Sequence, residues 1–218
     1  MRCLLLSATA AEIKPLTREL PELPGLDLDV LIGGIGLTAT AYALTRYLSL
    51  QRPDLILQAG VGGCFDRQQP LGTVAVVKKE IIADQGVVEQ GAWRTLSDLK
   101  LASPNRFPYQ QGWLKNDLPL LRQLPLPKVT GITVNQVTTS RQMAALYRER
   151  FAPVVESMEG AALHYVARME QVPFLQLRSM SNYVGERNKA RWKMAEAITA
   201  LNLCVRQILH TLQQRNRT

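Results

Sequence analysis

Two carboxylates, one arginine and one amide are the side chains of this chain whose types and positions could do chemistry. Arg178 lies inside the apolar run "PFLQLRSM". A buried arginine is costly unless a carboxylate pairs with it, so this position requires an acidic partner. Glu12 and Glu159 are the natural candidates, and Asn182 follows the same run. The combination indicates an acid–base or binding site.

Glu12 and Glu159 each allow a structural and a functional interpretation. The segment "TAAE" at residues 9–12 fits a helix capping box, but a carboxylate after a first strand can also activate water as a general base. Glu159 near a helix start is favoured by the helix dipole, but it can also accept hydrogen bonds from two vicinal hydroxyls. The local pattern leaves both interpretations open.

Two glycine clusters follow apolar strands, "GGIG" at residues 33–36 and "GVGG" at residues 60–63. Ligands of open α/β sheets gather at the carboxyl ends of the strands, so two such turns predict a small, flat ligand against bare backbone. For the first cluster, a strand-to-helix turn that simply needs glycine is an equally good explanation.

Short apolar runs alternate with longer runs of helical period, which predicts an α/β domain with a largely parallel or mixed sheet over residues 1–218. The predicted strands are Arg2–Ser7, Leu28–Gly33, Leu55–Gly60, Thr73–Ile82, Val129–Asn135, Val154–Ser157 and Phe174–Met180. The predicted helices are Ala10–Leu20, Leu37–Gln51, Arg141–Phe151, Glu159–Glu170 and Lys189–Arg215. Residues 87–127 break the rhythm, which indicates an irregular lid or interface loop with a short helix near Asp117–Gln123.

The composition is typical of a folded soluble protein, with 46% hydrophobic and 20% charged residues in a chain of 218. No apolar run approaches the roughly 18–20 residues of a membrane span, so we expect no membrane partner and a cytoplasmic location. The net charge of +8 suits an anionic small substrate. Nucleic acid is not expected as a partner, because no basic–aromatic recognition motif accompanies the charge.

Cysteine and histidine are too sparse for metal or disulfide chemistry. The three cysteines are widely spaced without a CxxC motif, and the two histidines lie far apart in sequence. We therefore expect buried reduced thiols, no metal and no cofactor.

An ordered set of segments over nearly the whole chain resembles a known family. The segments are "LLLSATAAEI", "GGIGLTATA", "QAGVGG", "GITVNQVTTS", "SMEGAALHYV" and "VPFLQLRSMSN". They resemble the nucleoside phosphorylase and nucleosidase superfamily, most clearly its methylthioadenosine/S-adenosylhomocysteine nucleosidase branch. The resemblance implies a single three-layer α/β/α domain with a mixed, partly barrel-like central sheet. It also implies a purine nucleoside substrate and a homo-oligomer, commonly a dimer.

The resemblance also implies roles for individual residues. Glu12 would activate water, and Arg178 would help to hold that water and the acid. Glu159 would bind the ribose hydroxyls, while Met158 would pack on the sugar. The remaining lining of the base and sugar site would be Gly60, Val61, Gly62 and Val137.

Ser181 and Asn182 stand at the family's Ser-Asp pair, and the amide is a departure from the pattern. In the adenine-specific nucleosidases, this Asp donates a proton to purine N7. An amide cannot protonate the base, but it can donate an N–H and accept with its C=O. The substitution therefore argues for a 6-oxopurine, hypoxanthine or guanine.

A second departure concerns the nucleophile. The family's phosphorylases begin with a Gly-Asp-Pro type motif, but here "ATAAE" stands in its place, and the Glu12 carboxylate would repel phosphate. The segment "SNYVGERNKARW", together with the expectations of hydrolysis and of a 6-oxopurine base, resembles the futalosine hydrolases of menaquinone biosynthesis. The substrate of those enzymes carries a carboxylate. Candidate cations for that carboxylate are Arg106, Arg187, Lys189 and Arg191.

Several alternatives stay open on the sequence alone. A nucleoside phosphorylase, or a nucleosidase for inosine or methylthioadenosine, would use the same scaffold. A non-catalytic protein would bind nucleosides without releasing the base. The buried position of Arg178 with two potential carboxylate partners favours an enzyme.

Overall fold

The computed structural model describes residues 1–20 and 22–215. The strands are β1 (Arg2–Ser7), β2 (Asp27–Ile32), β3 (Leu55–Cys64), β4 (Val74–Glu80), β5 (Gly86–Glu89), β6 (Ala92–Thr95), β7 (Leu114–Lys115), β8 (Lys128–Thr133), β9 (Val155–Ser157) and β10 (Phe174–Tyr183). The helices are α1 (Ala10–Arg18), α2 (Leu37–Leu50), α3 (Arg141–Phe151), α4 (Gly160–Met169) and α5 (Met194–Arg215). Short 3-10 helices cover Pro119–Gln123 and Lys189–Arg191.

The central sheet is mixed and partly closed. Within the described residues it has eight strands, in the order β10-β4-β8-β9-β3-β1-β2 with β7 beside β4. Because β10 also pairs with β3, the strands β3, β10, β4, β8 and β9 close into a ring. Strand β3 runs parallel to β1 and β10 but antiparallel to β9. The prediction of a mixed, partly barrel-like sheet is confirmed.

Strand β1 shows how the sequence produces three layers. Cys3 and Leu5 pack in a cluster with residues of α1 and α5, whereas Leu4 and Leu6 pack in another cluster with residues of α2 and α4. Successive side chains of a strand point to opposite faces, so a run that is apolar at every position needs a helical layer on each side.

Two strands extend beyond their predicted ends, and both extensions lie at the prospective site. Strand β3 includes residues 61–64, and β10 includes residues 181–183. The predictions of a glycine-rich turn after Gly60 and of a strand end at Met180 are therefore wrong. Strand β3 is paired here with β10 on one side and with β9 on the other, and this pairing outweighs the low strand propensity of glycine.

Differences in the helices and in the loop region are smaller. The predicted helix from Lys189 begins with a 3-10 turn, and the α-helix starts only at Met194. Residues 87–127 are less irregular than predicted, because β6 lies within them as one strand of the β5–β6 hairpin. The short helix predicted near Asp117–Gln123 is present as a 3-10 helix at Pro119–Gln123. The lid or interface role of this region stays a prediction.

None of the helices that the structure describes is long and apolar enough to cross a membrane. Cys3, Cys64 and Cys204 are buried and free, as predicted. Burial raises the pKa of Cys3 to about 12, which keeps this thiol protonated.

A buried carboxyl group connects the sheet with the start of α4. Glu80 is fully buried, and it accepts hydrogen bonds from Gln176 Nε2 at 2.9 Å and from Thr133 Oγ1 at 3.0 Å. Thr133 Oγ1 in turn accepts the backbone N–H of Ala161 in α4. Burial raises the pKa of Glu80 to about 7, because removal from water disfavours the charged form.

Replacing Glu80 by Gln should flatten the pH dependence of stability. An acid whose pKa is raised on folding, here from 4.5 to about 7, contributes stability below its unfolded pKa and loses it as the pH rises through the folded value. The shift corresponds to about 3 kcal/mol. We expect the melting temperature of the wild type to fall relative to Glu80→Gln as the pH is raised from about 5 to about 8.

The control is Glu149→Gln on the exposed face of α3. A melting-temperature difference between wild type and Glu80→Gln that stays constant with pH would contradict the assignment of a raised pKa to Glu80.

Candidate active site

A cavity of about 460 Å³ opens where β1, β3 and β10 end. Its lining includes these residues predicted from the sequence: Glu12, Val61, Gly62, Val137, Met158, Glu159, Ser181 and Asn182. The carboxyl ends of parallel strands are where ligands of α/β sheets bind, which explains why segments so distant in sequence meet here.

Arg178 lies beneath this cavity with its side chain 1% exposed. Its Nη2 is 3.3 Å from Glu159 Oε2 and donates to Gln58 Oε1 at 3.1 Å, while Nη1 donates to the Val61 carbonyl at 3.4 Å. Of the two candidate partners, the structure therefore pairs Arg178 with Glu159 and not with Glu12. The additional hydrogen bonds help to offset the cost of removing the ion pair from water.

Glu159 occupies the N-cap position of α4, between the starts of two helices. Its Oε1 accepts the backbone N–H of Gly36 at 3.1 Å, and Gly36 is the N-cap residue of α2. The φ of Gly36 is 91°, in the left-handed region that favours glycine. The first glycine cluster thus supports a site carboxylate, which keeps lone pairs for ligand hydroxyls.

Glu12 forms the predicted capping box and also lines the cavity. Its Oε2 accepts the backbone N–H and the hydroxyl of Thr9, each at 3.0 Å, as in a capping box. Its Oε1 accepts the backbone N–H of Val61 at 3.0 Å, and the residue lines the cavity. The contacts that cap α1 also fix the position of the carboxylate.

Gly60 does not line the cavity, but its lack of a side chain makes the site possible. A Cβ atom at this position would overlap Arg178 Nη1 and would lie 3.2 Å from Glu12 Oε1. The side chains of Arg178 and Glu12 therefore converge over the bare backbone of Gly60.

Asn202 is a positioning residue that the sequence analysis missed. Its Oδ1 accepts the Leu16 backbone N–H at 3.1 Å, and its Nδ2 donates to the Glu12 carbonyl at 2.8 Å. The Asn202 side chain thus bridges the Glu12 carbonyl and the Leu16 N–H, on either side of Pro15 in α1. Proline has no N–H, so it interrupts the backbone hydrogen bonding of the helix. An asparagine on the apolar face of the predicted last helix was the signal that could have identified it.

A β-bulge brings Ser181 and Asn182 into the cavity together. The register of β10 against β3 shifts between Met180 and Asn182, which leaves Ser181 as the extra residue. Neighbouring strand residues normally face opposite sides, and a bulge re-aims them. Ser181 Oγ donates to Asn182 Oδ1 at 2.9 Å, and Asn182 Nδ2 donates to the Tyr183 carbonyl at 3.2 Å. An amide nitrogen has two N–H groups, so these contacts leave one for a ligand.

Glu156 is a cavity residue that the sequence analysis missed. It lies on β9, is 5% exposed, and accepts the backbone N–H of Thr138 at 3.0 Å through Oε1. Its Oε2 has no hydrogen-bond partner among the residues that the structure describes. Burial raises the pKa of Glu156. A glutamate inside a predicted buried strand was the available signal.

Three of the four cations considered for the substrate's carboxylate, Arg106, Lys189 and Arg191, do not line the cavity. Arg106 lines a separate groove of about 490 Å³ that the 87–127 region forms with α4. The side chain of Arg191 is 73% exposed and pairs with Glu186 at 3.1 Å. Of the candidate cations, Arg187 lines the cavity, with its guanidinium 5.8 Å from the centre of the Trp192 ring.

The buried ion pair leads to a prediction about stability. Arg178→Met alone should cost roughly 3–5 kcal/mol, because it leaves the Glu159 charge buried without its partner. The double variant Arg178→Met/Glu159→Gln should cost clearly less than the sum of the two single changes. Urea unfolding of the four proteins measures this coupling, and Arg18→Met on the exposed side of α1 is the control. Additive losses would show that the two side chains are not coupled.

Comparison with known proteins identifies the family and supports the fold. Residues 19–211 match the phosphorylase superfamily. The futalosine hydrolase of Streptomyces coelicolor is 31% identical to this chain, over 98% of this chain and 97% of its own. The futalosine hydrolase of Thermus thermophilus is 32% identical, over 86% and 83%. These relatives confirm the predicted enzyme class, an N-glycosyl hydrolase.

A solved structure supports the same fold. The 5′-methylthioadenosine/S-adenosylhomocysteine nucleosidase of Campylobacter jejuni superposes with a TM-score of 0.80 at 18% identity, covering 98% of this chain and 99% of its own. Likeness at this identity concerns the fold alone. From the family match and from relatives above 30% identity, the chain belongs to the phosphorylase superfamily.

Proposed function

We propose that the protein hydrolyses the N-glycosidic bond of futalosine, releasing hypoxanthine and dehypoxanthine futalosine in menaquinone biosynthesis. The observation that carries the proposal is the presence of Glu12, Glu159 and Asn182 in the lining of one cavity. The two futalosine hydrolases at 31% and 32% identity support the choice of substrate.

In this proposal the two carboxylates act on the sugar and the water. Glu159 accepts hydrogen bonds from the ribose hydroxyls, and Met158 packs on the sugar. Glu12 orients a water molecule and takes its proton as the water oxygen bonds to C1′. The C1′–N9 bond breaks through an oxocarbenium-like sugar, and its electron pair passes to the purine. Glu12 suits this role because Thr9 and Val61 fix its carboxylate.

Asn182 acts on the departing base. Negative charge builds on the purine as the bond breaks, and a preorganised N–H donor stabilises that charge. An amide suits hypoxanthine, which offers O6 and N7 as acceptors. It suits adenine less well, because it cannot supply the proton that N7 of adenine takes up in the adenine-specific nucleosidases.

A methylthioadenosine-type nucleosidase is the alternative that the relatives also support. The 5′-methylthioadenosine/S-adenosylhomocysteine nucleosidase of Tolumonas auensis is 27% identical over 83% of this chain. The amide at Asn182 favours futalosine over this alternative.

Arg187 is the cation that we assign to the carboxylate at the 5′ end of futalosine. It lines the same cavity as the catalytic groups, whereas Arg191 is occupied by Glu186. Arg106 retains a role only in the predicted homo-oligomer, where the 87–127 region of a neighbouring subunit would close the site.

The proposal is tested by incubating the protein with futalosine, inosine or methylthioadenosine, with and without phosphate, and separating the products. We expect hypoxanthine to be released fastest from futalosine, independently of phosphate, together with a free rather than a phosphorylated sugar. Phosphate-dependent release would indicate a phosphorylase. Faster release of adenine would favour the methylthioadenosine alternative, and binding without base release would indicate a non-catalytic protein.

Glu12→Gln should lower the turnover of futalosine by at least about a hundredfold, because the amide cannot accept the proton of the water. Initial rates of hypoxanthine release measure the loss. Glu19→Gln, an exposed change at the end of the same helix, is the matched control and should keep the wild-type rate. Near-normal turnover by Glu12→Gln would rule out its role as general base.

Asn182→Asp should weaken the preference for hypoxanthine nucleosides over adenine nucleosides, because a carboxylate next to O6 is repulsive and a carboxylic acid can protonate N7. The ratio of kcat/KM for futalosine and methylthioadenosine measures the preference. Gln207→Glu introduces the same charge at an exposed position of α5 that does not line the cavity, and it should leave the ratio unchanged. An unchanged or opposite ratio for Asn182→Asp would contradict the role of the amide.

A further inference from the structure

Glu156 is a cavity residue to which the proposed mechanism gives no task. Its Oε1 accepts the backbone N–H of Thr138. Burial raises the pKa of the carboxyl group, and the Thr138 hydroxyl lies near enough to lower that pKa in part. Its Oε2 makes no hydrogen bond within the described part of the chain, although the residue is only 5% exposed. A buried carboxylate oxygen without a hydrogen bond costs free energy, so such an atom beside a ligand cavity indicates a ligand donor.

The sheet register places Glu156 opposite Asn182 across a bare glycine. Gly63 of β3 pairs with Glu156 of β9 on one side and with Asn182 of β10 on the other. A Cβ atom on Gly63 would lie 3.9 Å from Glu156 Cβ and 3.7 Å from Asn182 Nδ2, so both side chains flank the same face. Strands lie about 4.8 Å apart, which separates the two backbones by roughly 10 Å. A planar base fits with its edge between the carboxylate and the amide.

We propose that Glu156 determines base specificity by accepting the N1–H of a 6-oxopurine, while Asn182 contacts the O6 and N7 side. This inference rests on the proposed function in that the ligand is a purine base. It adds a residue and names the atom of the base that this residue reads.

The chemistry of the two purine classes differs most at this atom. N1 of hypoxanthine or guanine carries a hydrogen and donates it, whereas N1 of adenine carries a lone pair that faces the carboxylate oxygen. A site built to pair with a donor rejects a ligand that lacks one, because its own buried group stays unpaired. Burial raises the pKa of Glu156, and a bound N1–H would favour the charged form again.

The test measures the binding of free hypoxanthine, 1-methylhypoxanthine and adenine by calorimetry. We expect the wild type to bind hypoxanthine roughly 10- to 100-fold more tightly than either of the two bases without N1–H. Glu156→Gln should lose most of this preference and gain affinity for adenine, since an amide N–H can donate to N1. Glu170→Gln, exposed at the end of α4, is the matched control and should behave as the wild type.

Glu156→Asp provides a second variant if the amide disturbs folding, as judged by thermal unfolding. The aspartate side chain is shorter by one methylene, so its carboxylate reaches less far into the cavity. This variant should therefore bind hypoxanthine more weakly while still preferring hypoxanthine to adenine. The inference is overturned if Glu156→Gln keeps the wild-type preference, or if the wild type does not distinguish hypoxanthine from the other bases.

Because free bases are not turned over, their measured affinities do not depend on whether the protein is catalytically active. A protein that needs Glu156 to select hypoxanthine but releases none from futalosine would support this inference and overturn the proposed function. If the wild type hydrolyses futalosine but Glu156→Gln keeps the wild-type preference among bases, the proposed function is supported and this inference is overturned.

Discussion

The buried ion pair between Arg178 and Glu159 is the constraint on which the rest of the site depends. A guanidinium with 1% exposure needs a carboxylate and several acceptors, and these come from separate segments of the chain. Its partner begins α4, its other acceptors lie on β3, and Gly60 must lack a side chain to give it room. Because the buried charge of Arg178 is costly without these partners, it fixes the relative positions of β3, β10 and α4.

The two site carboxylates serve the helices and the cavity at the same time. Glu12 lies in the first turn of α1, and Glu159 occupies the N-cap position of α4 while its side chain accepts the N–H of Gly36 at the start of α2. The positive end of a helix dipole favours a negative charge at both places. Capping and chemistry therefore do not compete in this fold. The backbone contacts that stabilise the helix starts also keep the carboxylates in one orientation, which is the preorganisation that a catalytic group needs.

Under the proposed function, the groups assigned to hydrolysis and the groups assigned to the base come from different elements of the fold. Glu12 and Glu159 come from the starts of two helices, whereas Asn182 and Glu156 come from β10 and β9 on either side of β3. Under that assignment, the residues assigned to the base could change while the residues assigned to hydrolysis are kept. The fold itself tolerates extensive sequence change, since it is shared at a TM-score of 0.80 with a protein of only 18% identity.

The sequence by itself determined the alternation of strands and helices and the layers on both sides of the sheet, because the spacing of hydrophobic residues is a local property. It also determined that Arg178 needs a carboxylate, because the cost of burying a charge depends on the residue itself. Only the tertiary structure decided that this carboxylate is Glu159, that Ser181 forms a bulge, and that Glu156 enters the cavity. These features depend on the register between strands that lie far apart in the chain. Register is set by hydrogen bonds between segments, which no local pattern contains.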